Sequence, residues 1–447
     1  MSDSTPQTNF ASRLGFILAS AGSAVGLGAI WKFPYMAGTN GGSAFMFPYV
    51  VLSLTIGLAL LIAEVGLGRT GGGCAVTTYR NIGGRRWTVW GYLGIVTGFL
   101  ILSFYSTIGG WTLSYLMDAA LGRGLVTDQK QLEALFGGLV TSPAKSLFFQ
   151  ALFLFITGWV AARDIRRGIE KLSKVLMPLL FVLVLVVIIR GVTLPGAFEG
   201  LTYLFAWNPE AFSFESLLSA MGFTFFSLCI GTGGMITYGS YLSRQDNLLS
   251  GCGWITILTT AASLLGGLMV MPAVFAFGLN PSAGPGLTFM TMPVVFAQLP
   301  LGTLFAVAFY ACLVMAALTS SVALLEIPVA YLADERGMNR LKASVISSVA
   351  IFAVGSLCTL SFGPLADFKP LFGRTVFDLF DFFSSNLAMP IGGLASCALV
   401  GYVRWAQVRE EIRLGSSVTD ANLKLYRGVL TIGCPLLVIT VLITGLI

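Results

Sequence analysis

Two glycine-interrupted apolar stretches carry the groups most able to do chemistry. One runs from Gly22 through Gly26 and Gly28 to Pro34, and the other contains three glycines within residues 231–234. Each glycine costs roughly 0.5–1 kcal/mol relative to alanine inside a helix, so both stretches predict a helix that unwinds. Unwinding frees amides and carbonyls, which lipid tolerates only where they line a cavity or bind something. Freed carbonyls suit Na⁺ or an ammonium group, and the N-terminus of a half-helix favours a carboxylate.

Glu64 and Glu326 are carboxylates within long apolar runs. An ionisable residue in a membrane span is a candidate functional group, and either carboxylate would serve proton coupling if it titrated. Arg69 is close to Glu64 in the sequence, which favours a structural ion pair or a capped polar group instead. The chain has seven cysteines without metal-ligand spacing and no histidine, which argues against a zinc or haem site and against an enzyme.

The composition places most of the chain in lipid. Of its 447 residues, 56% are hydrophobic and only 10% are charged. Soluble domains carry about 25% charged residues, so this chain has too few charges to cover a surface in contact with water. Its apolar runs are continuous rather than alternating, and about 20 such residues cross a bilayer as a helix. The sequence predicts an all-α polytopic membrane protein, with the lipid bilayer as a partner and no nucleic acid.

Eleven apolar spans are predicted, numbered 1 to 11 along the chain. Their approximate bounds are 14–36, 43–67, 88–117, 146–162, 170–191, 214–241, 249–278, 300–333, 342–362, 376–402 and 427–447. Most Lys and Arg residues fall in the loops on the side of the N-terminus, and basic loops stay in the cytoplasm. The N-terminus is therefore predicted inside the cell, with the chain in the inner (plasma) membrane and the C-terminus on the periplasmic side.

Spans 1 and 6 carry the glycine interruptions, and each opens a block of five spans. Five is odd, so the two blocks must have opposite orientations. Glycines in membrane helices often serve close packing alone, but paired interruptions in an inverted repeat are typical of a transporter binding site. The predicted organisation is a cytoplasmic segment 1–13, a repeat 14–191, an extracellular loop 192–213, a repeat 214–402, a cytoplasmic loop 403–426 and an eleventh helix 427–447.

Several motifs closely resemble the neurotransmitter:sodium symporters of the bacterial leucine-transporter type. They are Arg13-Leu14-Gly15 through Pro34, Asn40-Gly41-Gly42-Ser43-Ala44-Phe45, Pro48-Tyr49, Trp111, Arg167-Gly168-Ile169-Glu170-Lys171, Ile236-Thr237-Tyr238 and Ala317-Leu318-Thr319-Ser320-Ser321. The resemblance covers about residues 10–402 and implies a 5+5 inverted repeat with discontinuous helices 1 and 6 and one extra C-terminal helix. It implies sodium-coupled symport of an amino acid by alternating access.

The resemblance implies one complete sodium site. Its three carbonyls belong to Gly22, Val25 and Ala316, and its two hydroxyls belong to Thr319 and Ser320. Without the resemblance, such hydroxyls are more often bonded to their own helix. Na⁺ is accordingly the expected coupling ion.

The family's other sodium site and its chloride site are expected to be absent. The side-chain amides of that sodium site are matched by Ala29 and Leu258, and Na⁺ with so few ligands would not recover its desolvation cost. Tyr49 of the chloride site is retained, but the family's glutamine and serine positions fall on Phe223 and Ala262. The expectation is one Na⁺ per substrate and no chloride dependence.

The resemblance also places a substrate carboxylate. The amides of Leu27 and Gly28 and the hydroxyl of Tyr105 would hold it, and Gly26 would leave room for it. Tyr105 also matches, with Phe226, an aromatic lid over the substrate. A zwitterion with a free carboxylate is therefore the expected substrate class.

Carbonyl groups would hold the substrate's amino group, and a separate set of side chains would surround the rest of it. The carbonyls are those of Ala24, Phe226 and Ser227, and the lining residues are Ser23, Ile101, Phe226, Cys229, Thr232 and Leu324. Thr232 stands where a relative has a large aromatic residue, which predicts a roomier and more polar cavity.

Three charged residues match the family's gates. Lys32 and Asp381 match the outer ion pair, although a lysine gives a point charge rather than a bidentate fork. Lys32 would otherwise be read as an interfacial residue. Asp334 matches the inner gate, whose usual partner positions fall on Gln7 and Phe10, so a weakened inner pair is expected.

Two other functions stay open on the sequence alone. One is the same scaffold driven by protons, and the other is a passive facilitator or channel. Broken helices with opposed gates argue against a continuously open pore. The oligomeric state does not follow from the sequence.

Overall fold

A computed structural model describes residues 13–24, 26–125, 129–163, 171–282 and 286–444. Within these ranges every regular element is a helix, apart from one isolated bridge between Leu371 and Arg374. Backbone groups in lipid must be satisfied within the protein, and a helix does this within one segment. The prediction of an all-α protein is confirmed.

Eight helices in the described ranges are long and apolar enough to cross a bilayer, judged by length and composition. They correspond to spans 2, 3, 4, 7, 8, 9, 10 and 11. In that order they are Ser43–Gly71, Arg85–Ala120, Pro143–Ala161, Leu248–Ala276, Gly302–Arg336, Arg340–Leu360, Val376–Val403 and Asp420–Thr440. The helix of span 11 thus begins inside the predicted cytoplasmic loop.

Span 5 is the helix Lys171–Val192, which contains Pro178. Its segment Pro178–Val192 is followed, after a short break and a bend of 115°, by the helix Ala197–Phe205, and the two together would count as a ninth crossing. Proline has no backbone N–H, so Pro178 removes one hydrogen bond within this helix.

Spans 1 and 6 are discontinuous, as their glycines predict. Span 1 consists of the helix Arg13–Ala24, a π-helical turn Gly28–Lys32 and a helix Phe33–Thr39. Span 6 consists of Phe214–Ser227 and Gly234–Ser240. Each half is too short to cross a bilayer alone, so neither span is among the eight long helices.

The break in span 6 is made by left-handed backbone. Cys229, Gly231 and Gly233 have φ angles of 54°, 84° and 75°. At Gly231 an added Cβ would lie 2.0 Å from the carbonyl oxygen of Met389 in span 10. Only glycine fits there, because both the φ angle and the close approach exclude a side chain.

Shorter elements outside the predicted spans complete the fold. Helices that the span pattern did not predict are Ala75–Gly83, Gln129–Val140, Ala197–Phe205, Leu287–Ala297 and Trp405–Arg413. Further π-helical turns lie at Ser53–Gly57, Phe383–Ala388, Ala398–Val403 and Val429–Gly433. Such turns are frequent at functional sites, and one of them directly precedes a residue of the central cavity.

Packing between spans brings the two breaks together at the centre. Spans 3 and 8 pack along each other, and the first half of span 1 packs against spans 5, 7 and 8. The second half of span 6 packs against span 2. Residues from spans 1, 3, 6 and 8 therefore converge on one buried region.

Candidate functional site

A central cavity lies between spans 1, 3, 6, 8 and 10. Its lining residues are Gly26, Gly28, Ile101, Tyr105, Phe226, Cys229, Thr232, Ser320, Leu324 and Met389. All except Ser320 and Met389 are predicted substrate residues, and Ser320 is a predicted sodium ligand. The structure therefore brings most of the predicted substrate residues and one predicted sodium ligand together.

The hydroxyl of Tyr105 connects these two sites. It accepts a hydrogen bond of 3.0 Å from the backbone N–H of Leu27, and both it and the Ser320 hydroxyl lie beside Gly26. Tyr105 is 3% exposed and Leu27 is fully buried, so these contacts lie in a region of low dielectric. Two of the three groups predicted to hold a carboxylate thus already face each other.

Gly26 is enclosed by the same hydroxyls. A Cβ added at this position would lie 1.9 Å from Ser320 Oγ and 2.8 Å from the Tyr105 hydroxyl. The space beside Gly26 is therefore filled by two hydroxyl groups, whereas the sequence suggested that it was open. A substrate carboxylate reaches this point only by exchanging hydrogen bonds with them.

The predicted sodium ligands of spans 1 and 8 lie next to this cavity. Ser320 Oγ donates to the carbonyl of Gly22 at 3.2 Å, and Thr319 Oγ1 donates to the carbonyl of Ala316 at 3.0 Å. Four neutral oxygens of this kind fit a hard monovalent cation. Val25 and the side chains of Ser23 and Ala24 lie outside the described part of the structure.

Ser227 is the predicted substrate residue whose side chain points elsewhere. Its hydroxyl accepts a 3.4 Å hydrogen bond from Tyr49, and Tyr49 is 2.9 Å from the hydroxyl of Ser263. The ring of Phe223 packs 4.9 Å from that of Tyr49. Near the family's chloride position the chain thus has hydroxyls bonded to each other and an aromatic ring. Ala29 is fully buried and supplies no side-chain oxygen.

Thr232 lines the cavity, but its hydroxyl closes the break in span 6. It donates to the carbonyl of Cys229 at 2.8 Å and accepts from the N–H of Gly234 at 3.2 Å. The threonine hydroxyl is therefore used within the backbone, and the more polar cavity expected from the sequence is not supported by its hydrogen bonds.

The outer ion pair is formed. Lys32 Nζ lies 2.9 Å from Asp381 Oδ1, which also accepts a 2.8 Å hydrogen bond from Ser385. The same ammonium is 4.1 Å from the ring centroid of Phe226. Because the Lys32 side chain is only 7% exposed, it is a partner of the aromatic lid rather than an interfacial residue.

On the opposite side, Asp334 anchors the segment that follows span 2. Its carboxylate accepts a 2.7 Å hydrogen bond from the N–H of Cys74, and the adjacent Glu335 pairs with Arg80 at 2.5 Å. Gln7 and Phe10 lie outside the described residues. In the described part of the chain, Asp334 therefore accepts its hydrogen bond from a backbone amide.

Glu64 holds the break in span 6. Its Oε1 accepts from the N–H of Gly231 at 2.9 Å and from Ser396 Oγ at 3.2 Å. Its other oxygen has no hydrogen-bond partner among the described residues. Arg69 instead lies 3.2 Å from Glu411. The predicted ion pair between Glu64 and Arg69 is therefore wrong, and Glu64 is the capped polar group that was the alternative prediction.

Glu326 forms a structural ion pair with Arg340 and does not line the cavity. Arg340 Nη2 lies 2.6 Å from its carboxylate, and the hydroxyl of Tyr241 donates to it at 2.9 Å. Arg340 also donates to the carbonyls of Ala161 and Arg163. One guanidinium therefore joins the ends of spans 4, 8 and 9.

Met389 is the lining residue that sequence reasoning missed. It follows the π-helical turn Phe383–Ala388 directly, and its carbonyl faces Gly231. A methionine in an apolar helix gives no signal of its own, because this flexible side chain fills gaps in any core. Only the meeting of spans 6 and 10 gives it a place at the cavity.

Comparison with known proteins agrees with this geometry. The sequence model of the sodium:neurotransmitter symporter family matches residues 7–124 and 145–447. The uncharacterized sodium-dependent transporter YhdH of Bacillus subtilis is 40% identical over 443 residues, which are 99% of this chain and 98% of the relative. An uncharacterized sodium-dependent transporter of Haemophilus influenzae is 31% identical over 98% of each chain.

A solved structure has the same fold. The crystal structure of MhsT in complex with L-phenylalanine matches with a TM-score of 0.93 and 38% sequence identity. The match covers 98% of this chain and 100% of that one.

Proposed function

The chain belongs to the sodium:neurotransmitter symporter family, and from this premise we propose that it carries an amino acid into the cell together with Na⁺. As a member it is a multi-pass, sodium-dependent membrane transporter and not an enzyme. The proposed substrate is a zwitterion with a free carboxylate, moved with one Na⁺ and without chloride. The observation that carries this proposal is the Tyr105 hydroxyl, which bonds to the Leu27 amide and lies with the Ser320 hydroxyl beside Gly26.

Carboxylate recognition is supported by the donors that converge on Tyr105. An incoming carboxylate would accept from the Leu27 N–H and from the phenol, which now bond to each other at 3.0 Å. Hydrogen bonds to an ionised acceptor are roughly twice as strong as neutral ones. The exchange therefore favours a charged carboxylate over a neutral group.

Coupling between ion and substrate is supported by Ser320. Its hydroxyl bonds to the carbonyl of Gly22 in span 1, and Ser320 lines the same cavity as Tyr105 of span 3. Na⁺ at the oxygens of Gly22, Ala316, Thr319 and Ser320 would hold span 1 against span 8. A substrate that uses the same arrangement then binds more tightly when the ion is present, and the reverse must hold equally.

Alternating access is supported by contacts on both sides of the cavity. The Lys32–Asp381 pair closes the outer side above Phe226, and Asp334 anchors the inner side through Cys74. In transporters with inverted repeats, one bundle rocks against the other around a fixed site. Here such rocking would open one of these contacts at a time.

The test is uptake into proteoliposomes with Na⁺ and H⁺ gradients imposed separately. L-phenylalanine is the first probe because it is the ligand named for MhsT, followed by other α-amino acids, β- and γ-amino acids and taurine. Thr319→Val with Ser320→Ala is expected to abolish sodium-driven uptake.

Ser321→Ala is the matched control, because this hydroxyl bonds to Leu318 and Thr157 on another face of span 8. It should leave the sodium dependence unchanged. Full uptake in Na⁺-free buffer, driven by a pH gradient alone, would replace the proposal with proton coupling.

A further inference from the structure

A groove on the outer surface between spans 4 and 9 lies apart from the transport site. Its walls include Phe155, Trp159, Leu341, Val345, Val349 and Phe352. Several of these side chains are more than half exposed, among them Phe155 at 70% and Val349 at 62%. Its floor is closed where Ser344 Oγ donates to the carbonyl of Gly158 at 2.8 Å. The groove is therefore an apolar cleft between two packed helices.

Basic side chains stand at one end of this cleft. The guanidinium of Arg163 lies 3.7 Å from the ring centroid of Trp159. Arg340 donates to the Arg163 carbonyl at 3.2 Å, which holds the ends of spans 4 and 9 together. Exposed Lys342 follows Leu341 of the wall. The predicted topology places this end at the cytoplasmic face.

We propose that the groove binds one acyl chain of an anionic glycerophospholipid, whose phosphate contacts Arg163 and Lys342. The wall runs from Leu341 to Phe352, which is about 16 Å of helix at 1.5 Å per residue. This is close to half of the roughly 30 Å hydrocarbon core of a bilayer. An acyl chain of one leaflet therefore fits the groove with its headgroup at the basic end.

Charge and shape favour this ligand over a helix from a second copy. Basic pockets between membrane helices at the cytoplasmic side attract anionic headgroups, and Trp159 beside Arg163 is typical of an interface position. A helix with side chains is about 10–12 Å wide, whereas the floor of this groove is closed by a direct contact between its own two helices. A lipid chain is thinner and reaches that floor.

The experiment follows thermal unfolding of the purified full chain in detergent while a single lipid is added. Phosphatidylglycerol is expected to raise the midpoint saturably, and phosphatidylcholine with the same acyl chains is expected to have little effect. Arg163→Ala with Lys342→Ala should raise the phosphatidylglycerol concentration for half-maximal stabilisation by about 30-fold, because each basic residue contributes about 1 kcal/mol near an anionic surface. Neutralising Arg86 and Lys424, two exposed basic residues outside the groove, should leave that concentration unchanged.

A second pair of variants tests the apolar part without a change in charge. Val345→Trp fills the groove and should abolish lipid stabilisation, whereas Ile346→Trp, at a neighbouring exposed position that does not line the groove, should retain it. Native mass spectrometry should show bound phosphatidylglycerol on the wild type and its loss from the Val345→Trp variant. Equal stabilisation by both lipids would overturn the proposal, and so would a dimer that is disrupted by Val345→Trp.

Discussion

At position 26 the hydroxyls of Ser320 and Tyr105 lie close to the backbone of span 1. A Cβ there would lie 1.9 Å from Ser320 Oγ and 2.8 Å from the Tyr105 hydroxyl. Neither group can keep its place if position 26 carries a side chain. Both the proposed sodium site and the proposed carboxylate site therefore depend on the absence of a side chain at position 26.

Gly26→Ala is expected to weaken sodium binding and substrate binding together, because Ser320 and Tyr105 must both move. Gly26→Asp should be worse, since it adds a charge in a region of low dielectric. Binding isotherms for Na⁺ and for the substrate measure the effect. Gly253→Ala is the matched control, because an added Cβ meets no atom within 4 Å there. Unchanged affinities in Gly26→Ala would disprove this account of the site.

Tyr105→Phe removes the hydroxyl that accepts from Leu27. The loss of one hydrogen bond to a charged group corresponds to about 1.5–3 kcal/mol, or roughly one to two decades of affinity. The loss should be seen for an amino acid and not for its decarboxylated amine. Tyr310→Phe serves as the control, because this buried hydroxyl has no hydrogen-bond partner among the described residues. Equal affinity for the acid and the amine, with Tyr105→Phe silent, would place the carboxylate elsewhere.

At the scale of elements, the break in span 6 depends on its neighbours. Span 2 supplies Glu64, which caps the Gly231 amide, and span 10 supplies the Met389 carbonyl against which Gly231 packs. Within the break, Thr232 bridges Cys229 and Gly234. An unwound segment in a membrane persists because each freed group of this kind finds a partner.

Glu64→Ala is expected to lower stability by about 1–3 kcal/mol, because it leaves the buried Gly231 N–H without an acceptor. Glu64→Gln keeps an acceptor oxygen and should retain both the stability and the sodium-driven uptake. Thermal unfolding and proteoliposome uptake, measured side by side, separate the two effects. If Glu64→Gln folded normally but lost transport, Glu64 would be a proton-coupling group and not a cap.

At the scale of the whole molecule, the number of ions follows from which spans contribute oxygens. Spans 1 and 8 supply the described oxygens of the proposed sodium site, while Ala29 and Leu258 have no side-chain oxygen for a second one. The Tyr49 hydroxyl is already bonded to those of Ser227 and Ser263. We therefore propose that a single sodium ion is bound.

The Hill coefficient for Na⁺ in uptake should be near one, and one Na⁺ should move with each substrate molecule. Reversal potentials measured in proteoliposomes give this ratio directly. Replacing external chloride with gluconate should leave the rate unchanged, because Phe223 and Ala262 stand where the family has chloride ligands. A reversal potential that requires two Na⁺, or uptake lost in gluconate, would contradict the single-ion account.

The sequence alone determined the helical class, the places of the long spans and the two interrupted ones. Desolvation of the backbone forces apolar runs into helices, and the cost of glycine within a helix is local, so both can be read from neighbouring residues. Most of the residues that line the cavity were predicted from the family motifs. Short helices such as Leu287–Ala297 and Trp405–Arg413 were not predicted, because they carry no span-length pattern.

Tertiary structure alone decided which groups are partners. Glu64 is five residues from Arg69 yet bonds to Gly231, and Arg69 pairs with Glu411. Met389 reaches the cavity only because span 10 packs on the break of span 6. A buried polar group bonds to whatever donor or acceptor the packing brings near it, and distance along the chain carries little of that information.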